Sequence, residues 1–157
     1  MEAEEEGPLF GYIERFAAVL TTAGFPPMPA RVFVALMVAD KGRLTAAELG
    51  ALLRISPAAV SGAVRYLTQL GLVHKERVPG SRRDYYRMPD NVWLDLLRMR
   101  NQVMTRWTAL MREGIELLGA DTVAGARMSE HAEFFDFVAV EVAAAFARWE
   151  EYRAALG

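Results

Sequence analysis

The sequence predicts a mainly α-helical chain with one small β-hairpin and long helices at both ends. Three observations predict it: two helix starts close together at Thr45 and Ser56, a single change from helical to strand-like period between Leu72 and Met88, and apolar residues at helical spacing over most of 90–157. At 157 residues, 53% apolar and 24% charged, the chain has the composition of one globular domain with a sizeable core. It contains no cysteine, which excludes disulfides, a thiol nucleophile and thiolate metal sites and suits a reducing compartment. Its acidic start, MEAEEEGP, is unlike a signal peptide, and charges interrupt every apolar stretch before the roughly 18 residues of a membrane span. A cytoplasmic location is expected.

Residues 1–7 read as an acidic, disordered tail. Pro8 suits a first helical position, and Leu9, Ile13, Phe16, Ala17 and Leu20 then follow at helical spacing, so 8–24 is expected as an N-terminal helix ended by Gly24. The run Gly24 to Pro29, with prolines at 26, 27 and 29, reads as a connector, and Ala30 to Asp40 as the second helix, stopped by Lys41-Gly42. Thr45-Ala-Ala-Glu48 is a capping box. Ser56-Pro57 is a second start, a hydroxyl cap followed by proline, so two short helices abut across Arg54 and Ile55. Gly71 ends the second of them. Leu72 to Val78 and Arg82 to Met88 are β-prone, and Pro79-Gly80-Ser81 between them is turn chemistry, which makes a hairpin.

Beyond Pro89-Asp90 the period is helical again. Trp93, Leu96, Val103, Trp107, Leu110 and Leu117 form one stripe, and Leu97, Met104, Met111 and Leu118 form another, which is more apolar face than one neighbour requires. Gly119 breaks this run, Asp121-Thr122 caps a last helix, and residues 90–157 are therefore expected as long C-terminal helices.

Two short helices, a tight turn between them and a following hairpin make a winged helix-turn-helix, expected over 28–88. The charge layout agrees. Residues 28–88 hold ten basic groups against four acidic ones, a balance of +6, while 1–27 and 89–157 each balance at −4 in a chain of net −2. A basic centre between acidic flanks suits a module that meets a polyanion. With Val60, Val64 and Leu67 facing inward, the outward side of the second short helix is Ala58, Ser61, Gly62, Arg65 and Gln69. Arg65 is expected to contact a guanine edge or a phosphate, Ser61 a base or a phosphate, and Ala58 a thymine methyl, while Gly62 admits close approach. Ser56 and Tyr66 are candidates for the DNA backbone. Arg82 and Arg83 at the hairpin tip are candidates for the minor groove.

The stretch LGALLRISPAAVSGAVRYLTQLGLV at 49–73, the preceding Pro29-Ala30-Arg31-Val32-Phe33 and the hairpin Arg77 to Tyr86 resemble MarR-type transcriptional regulators, most nearly the branch related to the repressor of glycine-betaine synthesis. Where such motifs often carry glycine at the turn, this chain has Arg54, which is expected to take a left-handed or slightly altered turn. The resemblance implies a homodimer built by the N- and C-terminal helices, acting on a pseudo-palindromic operator, with repression the expected outcome. Phe10, Ile13, Phe16, Leu20, Phe135, Val142, Phe146 and Trp149 are the expected dimer seam. The resemblance also implies that some members bind small molecules between the dimer helices and the winged domain, where Tyr12, Phe16, Trp93 and Trp107 would form an aromatic pocket.

Catalysis has no support in the sequence. His74 and His131 lack a neighbouring acid and nucleophile, and no phosphate loop, nucleophile elbow or paired-His metal motif is present. No cofactor, metal or membrane partner is expected. The rival reading is a winged helix used as a protein-interaction module, its basic surface docking an acidic partner.

Overall fold

The computed structural model describes residues 7–156. The expected acidic tail lies, apart from Gly7, outside the described residues. Among the described residues six helices and three short strands form two compact units, one running through Val92 and the other starting at Trp93.

The first unit contains α1 (Pro8–Thr22), α2 (Pro27–Met37), β1 (Arg43–Thr45), α3 (Ala46–Leu53), α4 (Pro57–Gln69), β2 (His74–Arg77) and β3 (Asp84–Arg87). Proline occupies the first turn of α1, α2 and α4, where its missing N–H costs no helical hydrogen bond. This corrects the expected connector. Pro27, Met28 and Pro29 are helical, so α2 starts three residues before Ala30, and it stops at Met37 rather than Asp40.

Helices α1 and α4 end alike. A glycine at positive φ, Gly24 or Gly71, follows each, and the next residue's N–H reaches back five residues to donate to a carbonyl of the last turn: Phe25 to Leu20 at 3.1 Å, Leu72 to Leu67 at 2.9 Å. Helix α3 uses the same 6→1 bond, Ile55 N–H to the Gly50 carbonyl at 3.0 Å, but its left-handed residue is Arg54, at φ 53°. The expected left-handed turn is present on a residue that pays about 1–2 kcal/mol for it. Gly50 allows the turn to close, because a Cβ there would stand 3.3 Å from the Ile55 carbonyl oxygen.

The core of this unit is Ile13, Ala17 and Leu20 of α1, the run Val32–Leu36 of α2, Leu49 and Leu53 of α3, Val60, Ala63, Val64 and Leu67 of α4, and Leu72 and Val73. Helix α1 is therefore part of the winged unit and packs on α2. Ile13 and Leu20, expected at a dimer seam, are instead buried in this core, because the i, i+4, i+7 face of α1 meets α2.

The hairpin is the outer part of a three-stranded antiparallel sheet ordered β1-β3-β2. Strand β1 carries no signal of its own in the sequence. Its three residues lead into the capping box and pair as Arg43 with Arg87, Leu44 with Tyr86 and Thr45 with Tyr85. Strands β2 and β3 pair from His74 opposite Arg87 to Arg77 opposite Asp84.

The second unit is an antiparallel pair, α5 (Val92–Leu118) and α6 (Val123–Leu156). Ion pairs Arg98–Glu150 and Arg112–Asp136 and the edge-to-face contact of Trp107 with Phe135 fix their alignment. At the turn, Thr122 Oγ1 accepts from the Gly125 N–H at 3.0 Å, which caps α6 as the Asp121-Thr122 signal predicts. Gly125 is required there, since a Cβ would lie 2.0 Å from the Gly119 carbonyl oxygen.

Candidate nucleic-acid interface

Helix α4 has two sharply different sides. Val60, Ala63, Val64 and Leu67 are buried, whereas Ala58, Ser61, Gly62, Arg65 and Gln69 are exposed. The outward face expected from the sequence is thus open to solvent over its whole length. Ser56 Oγ accepts from the Ala59 N–H at 3.2 Å, so its capping role is explicit and its exposed hydroxyl stands at the start of the helix. Tyr66 is half-buried, at the margin of this face. Nothing lies within 4 Å of the position a Cβ would take at Gly62, so no packing inside the first unit demands a glycine there.

The hairpin tip carries Arg82 and Arg83, both exposed. The turn is held by the Ser81 N–H donating to the Val78 carbonyl at 3.0 Å and the Arg83 N–H donating to Ser81 Oγ at 3.1 Å, with Gly80 at φ 81°. Among the described residues neither of these arginines, nor Arg65, is in an ion pair. The hairpin stem differs. Lys75 Nζ lies 2.7 Å from Asp84 and Arg77 Nε 3.5 Å from it, and Arg43 sits 3.6 Å from Glu76 and over the ring of Tyr85. The Lys75 ammonium, donating to Asp84, holds that carboxyl below the usual aspartate range, with Arg77 adding to the effect. The surface therefore has free guanidinium groups at the tip and on α4, and paired ones along the stem.

Two cations counted in the basic band have other work. Arg31 Nε donates to Glu14 Oε1 of α1 at 2.6 Å, and its Nη2 donates to the Leu53 carbonyl at the end of α3 at 2.9 Å. Arg54 lies over the Phe10 ring of α1, 5.2 Å from its centroid. Helix α1 is thereby tied to the turn that presents α4. The signal for Arg31 was its place inside the apolar run 29–36; the partner at Glu14 had no local signature. In the capping box, the Thr45 N–H donates to Glu48 Oε2 at 2.7 Å and the Thr45 hydroxyl donates to the same oxygen at 2.8 Å, and these bonds hold the Glu48 carboxyl below the usual glutamate range.

The remaining expected residues are distributed over both units. Phe10 and Phe16 are half-buried on α1, and Tyr12 is exposed and meets Phe16 edge to face at 6.1 Å. Trp93 and Trp107 belong to the second unit, as do Phe135, Val142, Phe146 and Trp149. That unit exposes much apolar surface, including Leu110, Leu117, Phe134, Phe137, Val140 and Trp149. Among the described residues no group of three or more His, Asp or Glu is placed to hold a metal, and no helix is long and apolar enough to cross a membrane.

Comparison with known proteins places both units beside regulators of transcription. Residues 23–84 match the MarR family model, and residues 91–152 match the model of MmpR5-like MarR family transcriptional regulators. The chain is 24% identical over 147 residues to the HTH-type transcriptional regulator MmpR5 of Mycobacterium tuberculosis (strain ATCC 25618 / H37Rv), covering 93% of this chain and 89% of that one. A solved structure of a transcriptional regulator aligns with a TM-score of 0.75 at 24% identity, over 91% of this chain and 98% of the other. TrmBL2, an archaeal chromatin protein, aligns with a TM-score of 0.54 at 21% identity, over 68% of this chain and 40% of that one.

Proposed function

We propose that this chain, a DNA-binding transcription regulator of the MarR type, acts as a homodimeric repressor on a pseudo-palindromic operator. The observation that carries the DNA-reading part is the bare outer side of α4: small residues at Ala58, Ser61 and Gly62, then the unpaired Arg65 and the amide of Gln69. Small side chains let the helix axis sink towards base edges, and a guanidinium beyond them has the reach and paired donors for guanine O6 and N7. Arg82 and Arg83 then enter the neighbouring minor groove.

Dimerisation rests on the apolar surface of the second unit. Helices α5 and α6 leave Leu110, Phe137 and Val140 each about two-thirds exposed, at 65%, 66% and 66%, apolar surface that a second copy of the chain would bury. Of the residues expected at the seam, Phe135, Val142 and Phe146 are half-buried, Phe135 against Trp107 of α5 and Phe146 beneath Arg98 of α5, whereas Trp149 is exposed. The proposed seam of this unit therefore centres on Leu110, Phe137 and Val140. Phe10 and Phe16 of α1 are proposed as dimer contacts of the first unit. Two winged units on one axis would meet half-sites about 10 to 10.5 base pairs apart. The narrower likeness to repressors of glycine-betaine synthesis rests on the helix-turn-helix and hairpin residues alone.

Retention of a fragment of the protein's own upstream DNA tests this reading. Saturable, sequence-selective binding is expected, with a salt dependence that flattens by about one for each phosphate contact removed by Arg82→Ala or Arg83→Ala. Retention that is wholly non-selective, with an unchanged salt slope in the double variant, overturns it. Sedimentation at micromolar concentration is expected to give twice the 17.5 kDa chain mass.

A further inference from the structure

A groove of about 340 Å³ runs along the first unit between α4 and the sheet. Its lining joins Arg65, Thr68 and Gln69 of the helix to Lys75 of β2 and Tyr86 of β3, with Ser61 at one end. Lys75 and Tyr86 face each other as a cross-strand pair. Apart from Val64 every lining side chain carries a hydrogen-bond donor, and two of them are cations.

In a duplex, the major groove and the adjacent minor groove are separated by one sugar-phosphate strand. A protein with α4 in the first and its hairpin tip in the second straddles that strand, and the groove opens between the same helix and the sheet whose hairpin carries the tip. We infer that this groove is the seat of the straddled strand: it takes a phosphodiester of the DNA backbone, bound by Lys75, Thr68 and Tyr86 beside Arg65. This inference rests on the DNA-reading function proposed above and adds residues to it.

Lys75 is at present turned to Asp84, 2.7 Å away. A phosphate entering the groove would share that ammonium, while the Asp84 carboxylate would repel it. Asp84 therefore weakens binding, and Lys75 and Asp84 act on affinity in opposite directions without reading sequence, since phosphates are the same at every step.

The test is fluorescence anisotropy with a labelled duplex recovered by selection on the wild-type protein and, separately, with sheared genomic DNA, at several salt concentrations. Lys75→Gln is expected to weaken binding to both probes about 3- to 10-fold and to lower the salt slope by about one. Tyr86→Phe and Thr68→Ala are expected to weaken both by smaller, equal factors, and Asp84→Asn to tighten both. Duplexes with one phosphate at a time replaced by a neutral methylphosphonate supply the second measurement. One position is expected to weaken the wild type and to have no further effect on Lys75→Gln. Wild-type binding with unchanged affinity and slope in Lys75→Gln, or additive losses at every neutralised phosphate, overturns the groove assignment alone. Failure of the wild type to bind either probe overturns the DNA-reading function and this inference with it.

Discussion

The Nη2 of Arg31, on α2, donates to the Leu53 carbonyl at the C-terminus of α3 at 2.9 Å. The last carbonyls of a helix have no partner within it, and a guanidinium is a strong donor for one of them. Because the same side chain reaches Glu14 on α1, one partly buried residue fastens three helices at the entrance to the turn before α4.

Removing it should loosen the winged unit. Arg31→Met is expected to cost about 2–3 kcal/mol, the worth of hydrogen bonds to a charged group with one partner left behind, and to lower the melting temperature by about 4–10 °C. Glu14→Gln should cost less, since the bond to Leu53 survives. Thermal and urea unfolding of both variants check this; equal, negligible shifts would mean that the contacts do not contribute to stability.

Gly62 separates stability from binding. An exposed mid-helix glycine costs about 0.8–1 kcal/mol relative to alanine, and the space beside it is empty. Gly62→Ala is therefore expected to raise the melting temperature by about 2–4 °C and, on the proposed DNA-reading function, to weaken DNA binding, because the added methyl would stand on the face proposed to approach the bases. A variant that is more stable and binds as tightly as the wild type would remove Gly62 from the interface.

The turn between α5 and α6 makes a separate prediction. In Gly125→Ala the new Cβ meets backbone atoms of Gly119, which cannot swing aside as a side chain does. A loss of about 1–3 kcal/mol is expected, together with a weaker dimer by sedimentation. Unchanged unfolding would show that the turn relaxes freely.

Stability should fall in acid partly through the α3 capping box. The backbone N–H and hydroxyl of Thr45 lower the Glu48 pKa on folding. A lowered folded pKa gives stability that is present above the unfolded value and is lost as the pH falls through the folded one. Glu48→Gln keeps an acceptor for the cap and removes the titration, so its stability should vary less with pH across that window. An identical acid slope in the variant would assign the dependence elsewhere.

Much of the architecture was legible because local chemistry and tertiary packing agree. Thr45-Ala-Ala-Glu48 and Ser56-Pro57 each begin a helix where their capping groups require, and the inward set Val60, Val64 and Leu67 leaves the predicted outer face bare. What was missed depends on distant partners. Strand β1 is only three residues long and exists because β3 pairs with it, and Ile13 and Leu20 have the same spacing whether their apolar face meets α2 or another copy of the chain. Pro27 and Pro29 look locally like helix breakers, although the first turn of a helix tolerates both. Thr68, Lys75 and Tyr86 come together only when α4 and the sheet are placed side by side.

On the proposed function, the outer side of α4, doubled by a twofold axis, reads DNA sequence. Selection of bound duplexes from a random pool, followed by sequencing, tests it most directly. A symmetric consensus is expected, its half-sites about 10 to 10.5 base pairs apart, with degeneracy appearing at one position per half-site in Arg65→Ala. No enrichment, or an asymmetric consensus indifferent to Arg65, would contradict it.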